Sequence, residues 1–285
     1  MTALYIVLGI PVFIFLMIVF AVAPGRGCKP MRAVFMNRML AHRGLHTKDR
    51  LTPENSMKAF AAAIEAGYGI EFDLQLSKDE QIVVFHDDTL NRVCNVDNRV
   101  DFYTYDELLE FSLCDSDEKI PLFTDVLKLV KGKVPLLIEL KNGPRNDLLC
   151  QKTLDILKDY SGDFCIESFS PFIVAWFRKH APNILRGQLA GPAESYKGAV
   201  SGPAGFLLSH CLLNFLARPH FISYNKEKRS LPVKLADKMG AMRFVWTVRP
   251  KDDHHRLYRI NDSIIFEFYT PKVYKGSAGR KEACR

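Results

Sequence analysis

Two acidic side chains lie in one strand-like segment, where they could share a cation. Residues 69–75 read Gly-Ile-Glu-Phe-Asp-Leu-Gln, so Glu71 and Asp73 are two residues apart. Side chains two apart in a β-strand point to the same side, and neighbouring carboxylates repel unless a cation compensates them. Oxygen ligands of this kind suit Mg²⁺ or Ca²⁺. The pattern predicts a divalent-cation site, and a solvated edge strand is the alternative for this feature alone.

A third carboxylate, Glu139, lies near the end of the apolar segment 134–140 and is two residues before Lys141. The segment is too apolar for the surface, and both side chains lie on one face at its carboxyl end. Glu139 would complete a three-carboxylate metal site, and the lysine could hold a phosphate oxygen. A buried ion pair between Glu139 and Lys141 is the alternative.

Two histidines stand where strand-like segments end. His42 precedes Arg43 and Gly44, and His86 precedes Asp87, whose carboxylate can orient the imidazole ring. Because the imidazole pKa lies near neutrality, one histidine can accept a proton while the other donates one. Phosphodiester cleavage needs both steps, since the nucleophile must be activated and the leaving alkoxide protonated. The two histidines therefore predict an acid–base pair of the kind that such a reaction needs, although either histidine alone would be a weak signal.

Taken together, these motifs resemble the glycerophosphodiester phosphodiesterase family in their order and spacing. The segments that carry the resemblance are His42-Arg43-Gly44, Pro53-Glu54-Asn55, Glu71-x-Asp73, His86-Asp87 and Glu139-x-Lys141. Looser similarity follows at residues 167–170 and 245–248. The chain departs from the family at residues 264–271, where the family usually has an Ile-x-Thr-Asp-x-Pro pattern.

The resemblance implies hydrolysis of glycerophosphodiesters to glycerol 3-phosphate and an alcohol. It implies that Glu71, Asp73 and Glu139 hold a divalent cation, Mg²⁺ or Ca²⁺. It also implies that His42 and His86 are the general acid–base pair. Attack by water and attack by the glycerol 2-hydroxyl both need these two histidines, so the sequence leaves the two routes open.

The resemblance also implies a set of substrate contacts. Arg43 and Lys141 are expected to hold the phosphate, and Glu54 is a further ligand or orienting group. Asn55 is expected to cap the helix that follows it. Trp246 either packs against the glycerol at the mouth of the fold or fills the core.

From residue 38 onward, short apolar runs alternate with helical patterns, which is typical of a parallel sheet covered by helices. The eight candidate strands are Met39–His42, Gly69–Gln75, Val134–Leu140, Phe164–Glu167, Leu185–Gln188, Phe221–Tyr224, Phe244–Val248 and Ser263–Glu267. Eight strands predict an α/β fold of the TIM (β/α)8 barrel type over residues 38–271. The interruption between Ile82 and Phe123 predicts a small excursion after the second strand.

One later segment, Phe206–Ala217, is apolar on almost every side of a helix. A helix that is apolar all round is either buried or in contact with lipid. The sequence leaves both readings open. His210 within this segment is expected to be a helix histidine whose hydrogen bonds are satisfied.

The N-terminal segment Ala3–Ala23 contains no charged side chain. A helix of about 20 residues crosses the roughly 30 Å hydrocarbon layer, so residues 1–37 are predicted to be a transmembrane anchor with a basic linker. A cleaved signal peptide is the alternative, because Ala21-Val22-Ala23 resembles a cleavage site, but no Lys or Arg precedes the apolar run. The positive charges that follow the helix place the barrel in the cytoplasm by the positive-inside rule.

Composition limits the other functions. The 285 residues are 48% hydrophobic with a net charge of +7, and a basic tail at residues 272–285 contributes to that charge. No zinc-finger spacing or RNA-binding motif accompanies the charge, which therefore indicates membrane lipid or a phosphate-bearing ligand and no nucleic acid. The seven cysteines are an odd number and widely spaced, which argues against a disulfide framework.

Two other functions fit the same residues. A lysophospholipase D would apply this chemistry to a lipid-derived phosphodiester, and the apolar N-terminus favours a substrate in the bilayer. A catalytically inactive membrane sensor would bind phosphodiesters without cleaving them. The presence of both histidines weighs against a sensor, since binding alone needs no acid–base pair.

Overall fold

The computed structural model describes residues 2–272, with only the backbone for residues 2–8. Within that part, the strands are β1 (Arg38–Ala41), β2 (Gly69–Leu76), β3 (Ile82–Val84), β4 (Leu136–Leu140), β5 (Phe164–Ser168), β6 (Arg186–Ala190), β7 (Phe221–Asn225), β8 (Met242–Val248) and β9 (Ser263–Phe266). The basic tail predicted at 272–285 lies outside the described residues apart from Lys272.

Helices alternate with these strands along the chain. They are α1 (Thr2–Val22), α2 (Lys29–Phe35), α3 (Met57–Glu65), α4 (Asn91–Cys94), α5 (Tyr105–Leu108), α6 (Phe123–Val130), α7 (Asn146–Leu157), α8 (Pro171–His180), α9 (Gly202–Ser209), α10 (Asn214–Ala217), α11 (Leu231–Lys238) and α12 (His254–Ile260). Three short 3₁₀ turns, at Val100–Phe102, Leu113–Asp115 and Ala193–Tyr196, complete the described elements.

Eight of the strands form a closed parallel barrel. β1 pairs in parallel with β2 on one side and with β9 on the other, and the remaining strands pair in the order β2, β4, β5, β6, β7, β8, β9. β3 is an extra strand that pairs antiparallel with the end of β2. The predicted TIM barrel is confirmed, and the ends of its eight predicted strands differ from those observed by at most two residues.

Side chains alternate between the two faces of each strand, so one apolar layer lies outside the barrel and a second lies inside it. On β2, Ile70 and Phe72 belong to the outer core beneath the helices, together with Phe60 of α3. Inside the lower barrel a second core contains Phe221 and Phe244, whose rings stack with centroids 4.2 Å apart. Gly187 on β6 makes room for this stack, because a Cβ atom there would overlap the Phe221 ring. Close-packed side chains therefore fill the lower barrel and leave the chemistry to the carboxyl ends of the strands.

The amino end of the barrel is covered by the chain that precedes β1. Phe35 of α2 is fully buried against the lower core, and its carbonyl accepts a hydrogen bond from the Ser263 hydroxyl. Arg32 donates to the carbonyls of Gly25 and Gly240 and ties this segment to the turn before β8. Residues 24–37 thus act as a cover for the face of the barrel opposite the strand carboxyl ends.

Helix α1 contains the segment predicted to be a membrane anchor. Its last turn is attached to the barrel, where Val22 is fully buried and Arg218 donates to the carbonyls of Phe20 and Ala23 at 2.8 and 3.0 Å. In the part of the chain that the structure describes, no helix has both the length and the apolar character needed to cross a membrane.

The excursion predicted after the second strand contains β3, α4, α5 and two of the 3₁₀ turns. It has its own small apolar core, in which Phe85, Leu90 and Val93 are buried together with Leu108. This core holds α4 next to the end of β2, because Phe85 N–H donates to the carbonyl of Asp73. The excursion is therefore anchored to a strand that carries candidate metal ligands.

The apolar segment Phe206–Ala217 is not one helix. α9 ends at Ser209 and α10 begins at Asn214, because Cys211 between them has a positive φ of 55°, outside the helical region. Cys211 is buried, whereas Phe206 is 53% exposed. Both readings assumed one continuous helix, and that assumption was wrong; contact with lipid stays a prediction. His210 is satisfied as expected, since its Nδ1 lies 2.9 Å from the Phe206 carbonyl.

His220, just before β7, couples the stability of the amino end of the barrel to pH. It is 1% exposed, and its Nδ1 accepts a hydrogen bond from the backbone N–H of Arg186. Burial, and then the charges of Arg186 and Arg32, lower the pKa of His220 to about 4. An unfolded histidine has a pKa of about 6.5, so between these values the unfolded chain binds a proton that the folded chain does not.

We therefore expect acid to destabilise the fold through this residue. Stability should fall as pH decreases from about 6.5 towards 4, and His220 should account for about 2 kcal/mol of the loss between pH 7 and 5. Urea unfolding of the wild type and of His220→Gln at both pH values measures this contribution. An equal pH response in both proteins would show that His220 is not responsible.

Candidate active site

The three predicted metal ligands converge at the carboxyl end of the barrel. Glu71 and Asp73 come from β2 and Glu139 comes from β4, and each offers an oxygen within 4.8 Å of the others. All three side chains are buried. Parallel pairing of β2 and β4 places Asp73 directly opposite Glu139 in the sheet. The alternative of a solvated edge strand is therefore wrong for Glu71 and Asp73.

Burial makes this cluster electrostatically strained. Burial, followed by the charges of Asp73 and Glu139, raises the pKa of Glu71 well above its usual range. Lys141 relieves part of the repulsion, because its Nζ lies 2.9 Å from Glu139 Oε1 and 3.5 Å from Asp73 Oδ1. The ion pair considered as an alternative for Glu139 and Lys141 is present, and it lies inside the three-carboxylate cluster.

The donors around the cluster fit a hard divalent cation. Asn55 donates to Asp73 Oδ2 at 2.9 Å, and the backbone N–H of Arg43 donates to Glu71 Oε2 at 2.9 Å. Asp73 Oδ1 is buried and accepts no hydrogen bond. Its one ion-pair partner among the described residues is Lys141, which it shares with Glu139, so a single ammonium group faces three carboxylates. Three carboxylates supply the ligands that Mg²⁺ and Ca²⁺ prefer. Asn55 therefore holds a candidate metal ligand, while Ser56 caps α3.

His42, which follows β1, is oriented by a carboxylate that the sequence analysis did not select. Its Nδ1 lies 2.8 Å from Glu267 Oε2, and its Nε2 lies 3.9 Å from Glu71 Oε2. A carboxylate at Nδ1 fixes the proton there and leaves a lone pair on Nε2. Burial, and then the neighbouring Arg43 charge, lower the pKa of His42 to about 4, so the ring is neutral near pH 7 and can accept a proton.

Glu267 is itself held from two sides. It is 6% exposed, Arg249 donates to its Oε1, and His46 Nε2 lies 3.6 Å from its Oε2. The sequence could have indicated Glu267, because it is an acidic residue directly after the last strand. It lies where the chain departs from the family pattern. That departure retains a carboxylate beside His42.

His86 has a matching arrangement on the other side of the cluster. Its Nδ1 lies 2.5 Å from Asp87 Oδ1, as expected from their adjacency in the sequence. Arg92 on α4 then binds Asp87, with Nε 2.6 Å from Oδ2. Each of the two histidines thus has a carboxylate at Nδ1, and the opposite ring nitrogen is available for the pocket.

Glu54 does not reach the pocket, contrary to its predicted place among the substrate contacts. Its Oε1 accepts hydrogen bonds from Arg43 at 2.7 Å and from Arg92 at 2.6 Å. Burial alone would raise the pKa of Glu54, but these two arginines lower it to about 2. Glu54 therefore stays ionised and orients Arg43, which was the second role considered for it.

Both histidines and two of the candidate metal ligands border a pocket of about 180 Å³ at the carboxyl end of the barrel. Its walls are formed by His42, Arg43, Glu71, His86, Glu139, Glu167, Phe169, Leu189, Trp246, Thr247, Arg249 and Ile265. Trp246 lies in this wall, where its indole N–H donates to the Ser223 carbonyl and its ring meets Phe169 edge to face.

A fourth carboxylate, Glu167 on β5, borders the same pocket. It lies opposite Glu139 in the sheet register and is 1% exposed. Burial, followed by the charge of Glu139, raises the pKa of Glu167 well above its usual range. Its oxygens lie outside the metal-ligand group formed by the other three carboxylates within the described residues. Glu167 is therefore a polar wall of the pocket in a segment that matched the family only loosely.

Arg92 binds the two carboxylates that orient His86 and Arg43, and we expect its loss to reduce turnover of the predicted glycerophosphodiester substrate. Its guanidinium bridges Asp87 and Glu54, so it positions His86 through the first carboxylate and Arg43 through the second. Arg92→Lys keeps the charge but loses the two-pronged geometry. Turnover should fall roughly tenfold, in line with the loss of well-placed supporting groups.

The matched control for this prediction is Arg99→Lys, because Arg99 belongs to the same excursion and its ion pair within residues 2–272 is with Asp101. Steady-state kinetics of the two variants separate a local role from a general effect on the excursion. Equal turnover in Arg92→Lys and Arg99→Lys would remove the positioning role.

Comparison with known proteins identifies relatives over most of the chain. A model of the Glycerophosphoryl diester phosphodiesterase family matches residues 42–268. A glycerophosphodiester phosphodiesterase of Caldanaerobacter subterraneus is 30% identical over 244 residues, which cover 80% of this chain and 92% of that protein. A lysophospholipase D of Rattus norvegicus is 32% identical over 140 residues, which cover 44% of this chain and 42% of that protein.

Solved structures show the same fold. A phosphodiesterase of Oleispira antarctica, in complex with the product sn-glycerol-3-phosphate, aligns with a TM-score of 0.70 at 20% identity, covering 89% of this chain and 98% of that one. A glycerophosphodiester phosphodiesterase of Thermotoga maritima aligns with a TM-score of 0.61 at 27% identity, covering 80% and 93%.

Proposed function

The chain belongs to the glycerophosphoryl diester phosphodiesterase family, whose model matches residues 42–268, and we propose that it hydrolyses glycerophosphodiesters to glycerol 3-phosphate and an alcohol. One observation carries the proposal. One site contains three convergent carboxylates and two imidazoles around a pocket of about 180 Å³. Each imidazole has a further carboxylate, Glu267 or Asp87, at its Nδ1. A pocket that only bound phosphodiesters would not need two oriented imidazoles.

The chain's own residues divide the work as follows. Arg43 binds the non-bridging phosphate oxygens from the wall of the pocket, and Glu54 keeps it in place. Lys141, which pairs with Glu139 and Asp73 behind that wall, is the second proposed phosphate contact. His42 accepts a proton at Nε2, where its neutral ring has a lone pair. The proton comes from the attacking water, or from the glycerol 2-hydroxyl if a cyclic phosphate forms first and water then opens it. His86 donates a proton to the leaving alkoxide. Proton transfers of this kind typically contribute about 10² to 10⁴ in rate.

The same proposal includes a divalent cation held by Glu71, Asp73 and Glu139. When bound, it would neutralise charge on the phosphate oxygens. The three crowded carboxylates, which share one lysine between Glu139 and Asp73, and the absence of a hydrogen bond to Asp73 Oδ1 within the described residues support such a ligand. Mg²⁺ and Ca²⁺ are both candidates, because both accept carboxylate oxygens.

Release of glycerol 3-phosphate tests the proposed reaction. Purified protein would be incubated with glycerophosphocholine, glycerophosphoethanolamine and glycerophosphoglycerol, with Mg²⁺ or Ca²⁺ added separately. We expect glycerol 3-phosphate from at least one diester with one of the cations. If no diester were cleaved with either cation while binding persisted, the non-catalytic sensor would be the better description.

The location in a membrane, with the barrel in the cytoplasm, stays a prediction from the N-terminal charge pattern. It rests on the basic residues after the apolar run, Arg26, Lys29, Arg32 and Arg38. Alkaline phosphatase fused to the C-terminus tests the orientation, because this reporter is active only outside the cytoplasm. An active fusion would contradict the predicted location.

A further inference from the structure

Three donor groups outside the three-carboxylate cluster converge beside the catalytic pocket. His42 Nδ1 lies 2.8 Å from Glu267 Oε2, and His46 Nε2 lies 3.6 Å from the same oxygen. Each of the three residues offers a donor atom within 4.8 Å of the others. The two histidines follow β1 and Glu267 follows β9, so the pairing of these strands brings the three side chains together.

One of these donors is buried without a hydrogen bond. His46 is 9% exposed, and its Nε2 makes no hydrogen bond within the described residues. The ring packs edge to face against Phe268, with centroids 4.9 Å apart, and its Nε2 lies on the side of Glu267. A buried ring nitrogen in this state is costly, so the geometry favours a ligand that can accept its lone pair.

Glu267 divides its two oxygens between different partners. Arg249 donates to Oε1, whereas Oε2 lies between the two imidazoles. Bonds of about 2.0–2.2 Å to Zn²⁺ at tetrahedral angles place donor atoms about 3.4 Å apart. The observed separations from Oε2, 2.8 and 3.6 Å, lie on either side of that value. The charge of Arg249 opposes a cation at Oε2, but its side chain is 56% exposed, so water screens part of this effect.

The donor types differ from those of the three-carboxylate cluster. Two imidazole nitrogens and one carboxylate suit Zn²⁺, whereas a cluster of carboxylate oxygens alone suits Mg²⁺ and Ca²⁺. Three protein ligands leave the fourth position of a tetrahedral ion for water. His46 lines a cleft of about 1070 Å³ that shares Arg249 with the catalytic pocket, and this cleft gives an ion a path to the site.

We propose that His42, His46 and Glu267 form a second metal site, which binds Zn²⁺ and thereby inhibits the enzyme. Zinc takes the lone pair of His42 Nδ1, and the proton that Nδ1 carried moves to Nε2, so the ring stays neutral and no proton is released. Nε2 then has no lone pair with which to accept the proton of the nucleophile. The inhibition rests on the proposed function, in which His42 is the base, whereas the binding of zinc does not.

Zinc binding is tested by calorimetry, which needs no turnover. The wild type, His46→Gln and His255→Gln are titrated with Zn²⁺ in excess Mg²⁺ and, separately, in excess Ca²⁺, so that the three-carboxylate cluster is occupied. We expect His46→Gln to lose one bound ion or to bind it at least tenfold more weakly, because one of three ligands is removed.

His255→Gln is the matched control, because His255 is exposed and its ring lies beside that of His254, with centroids 5.9 Å apart. It removes a histidine that could bind zinc at the surface, and it should bind zinc as the wild type does. Equal affinity and stoichiometry in all three proteins would overturn the proposed site.

The position of the ion is a second test, and it uses the wild type alone because His46 is buried and its replacement can destabilise the fold. Anomalous diffraction at the zinc edge, from a crystal soaked with Zn²⁺ in the presence of Mg²⁺, should place an ion between His42 Nδ1, His46 Nε2 and Glu267 Oε2. Zinc found only at the three-carboxylate cluster or at surface residues would contradict the proposal.

Inhibition is measured as glycerol 3-phosphate release, with the rate of each protein in zinc divided by its own rate without zinc. Half-inhibition of His46→Gln should need at least ten times more zinc than half-inhibition of the wild type or of His255→Gln. Equal sensitivity of the three proteins would refute inhibition through this site. If the zinc-free protein cleaved no diester, the proposed function would fail instead, and calorimetry and diffraction would still decide whether the site binds zinc.

Discussion

Replacing His42 by alanine should lower kcat by about 10² to 10⁴ while changing KM little. The imidazole is neutral near pH 7, its Nδ1 is held by Glu267, and its Nε2 lies at the pocket next to Glu71. Of the other groups in the wall, Arg43 is permanently charged and Trp246 lacks a basic nitrogen. His86 is assigned to the leaving alkoxide, and Glu71 and Glu139 are assigned to the cation. Initial rates of glycerol 3-phosphate release measure the effect.

His180→Ala is the control for this variant, since His180 is exposed at the end of α8 and away from the pocket. Glu267→Gln is a second test of the role of His42, because Glu267 binds its Nδ1. It keeps the shape of the side chain but removes the charge that fixes the His42 proton, so kcat should fall and KM should stay close to wild type. Wild-type kcat in His42→Ala would refute the assignment of the base.

Removal of divalent cations should abolish activity, and one of Mg²⁺ or Ca²⁺ should restore it. The physical reason is the buried trio of Glu71, Asp73 and Glu139, whose mutual repulsion a cation compensates. Metal catalysis of phosphoryl transfer usually contributes several kcal/mol, which corresponds to at least a thousandfold loss in rate. Assays in chelator, before and after addition of each cation, provide the measurement.

Thermal unfolding tests cation binding at the three carboxylates without measuring activity. The cation should raise the unfolding midpoint of the wild type, because it binds the folded state. Glu71→Gln removes one charge from the crowded cluster, so the cation-free variant should unfold at a higher temperature than the cation-free wild type and respond weakly to the cation. Asp125→Asn, at an exposed carboxylate of α6, is the control. Full activity of the wild type in chelator would contradict the metal site.

Much of this arrangement could be predicted from local sequence patterns. Glu71 and Asp73 share a face because strands alternate, and the carboxyl ends of parallel strands meet at one face of a barrel, which brought in Glu139 from β4. The His86 and Asp87 contact follows from their adjacency. The sequence is sufficient to predict a contact when both residues lie on one strand or are adjacent in the chain.

Long-range contacts could not be read in the same way. Asn55 looked like a helix cap, yet it holds Asp73, because Ser56 caps α3 and frees its neighbour. Glu54 looked like a substrate contact, but Arg92 arrives from an excursion whose path no periodicity specifies. Glu267 was overlooked because the family pattern changes around it. In each case the partner is set by how loops pack on the barrel mouth.

The pairing of β1 with β9 has a consequence for how the protein is made. His42 and Glu267 are 225 positions apart and meet only when the first and last strands of the ring join. A ribosome therefore has to release nearly the whole described chain before the base acquires its carboxylate. Nascent or prematurely terminated products that lack β9 should therefore be inert towards phosphodiesters.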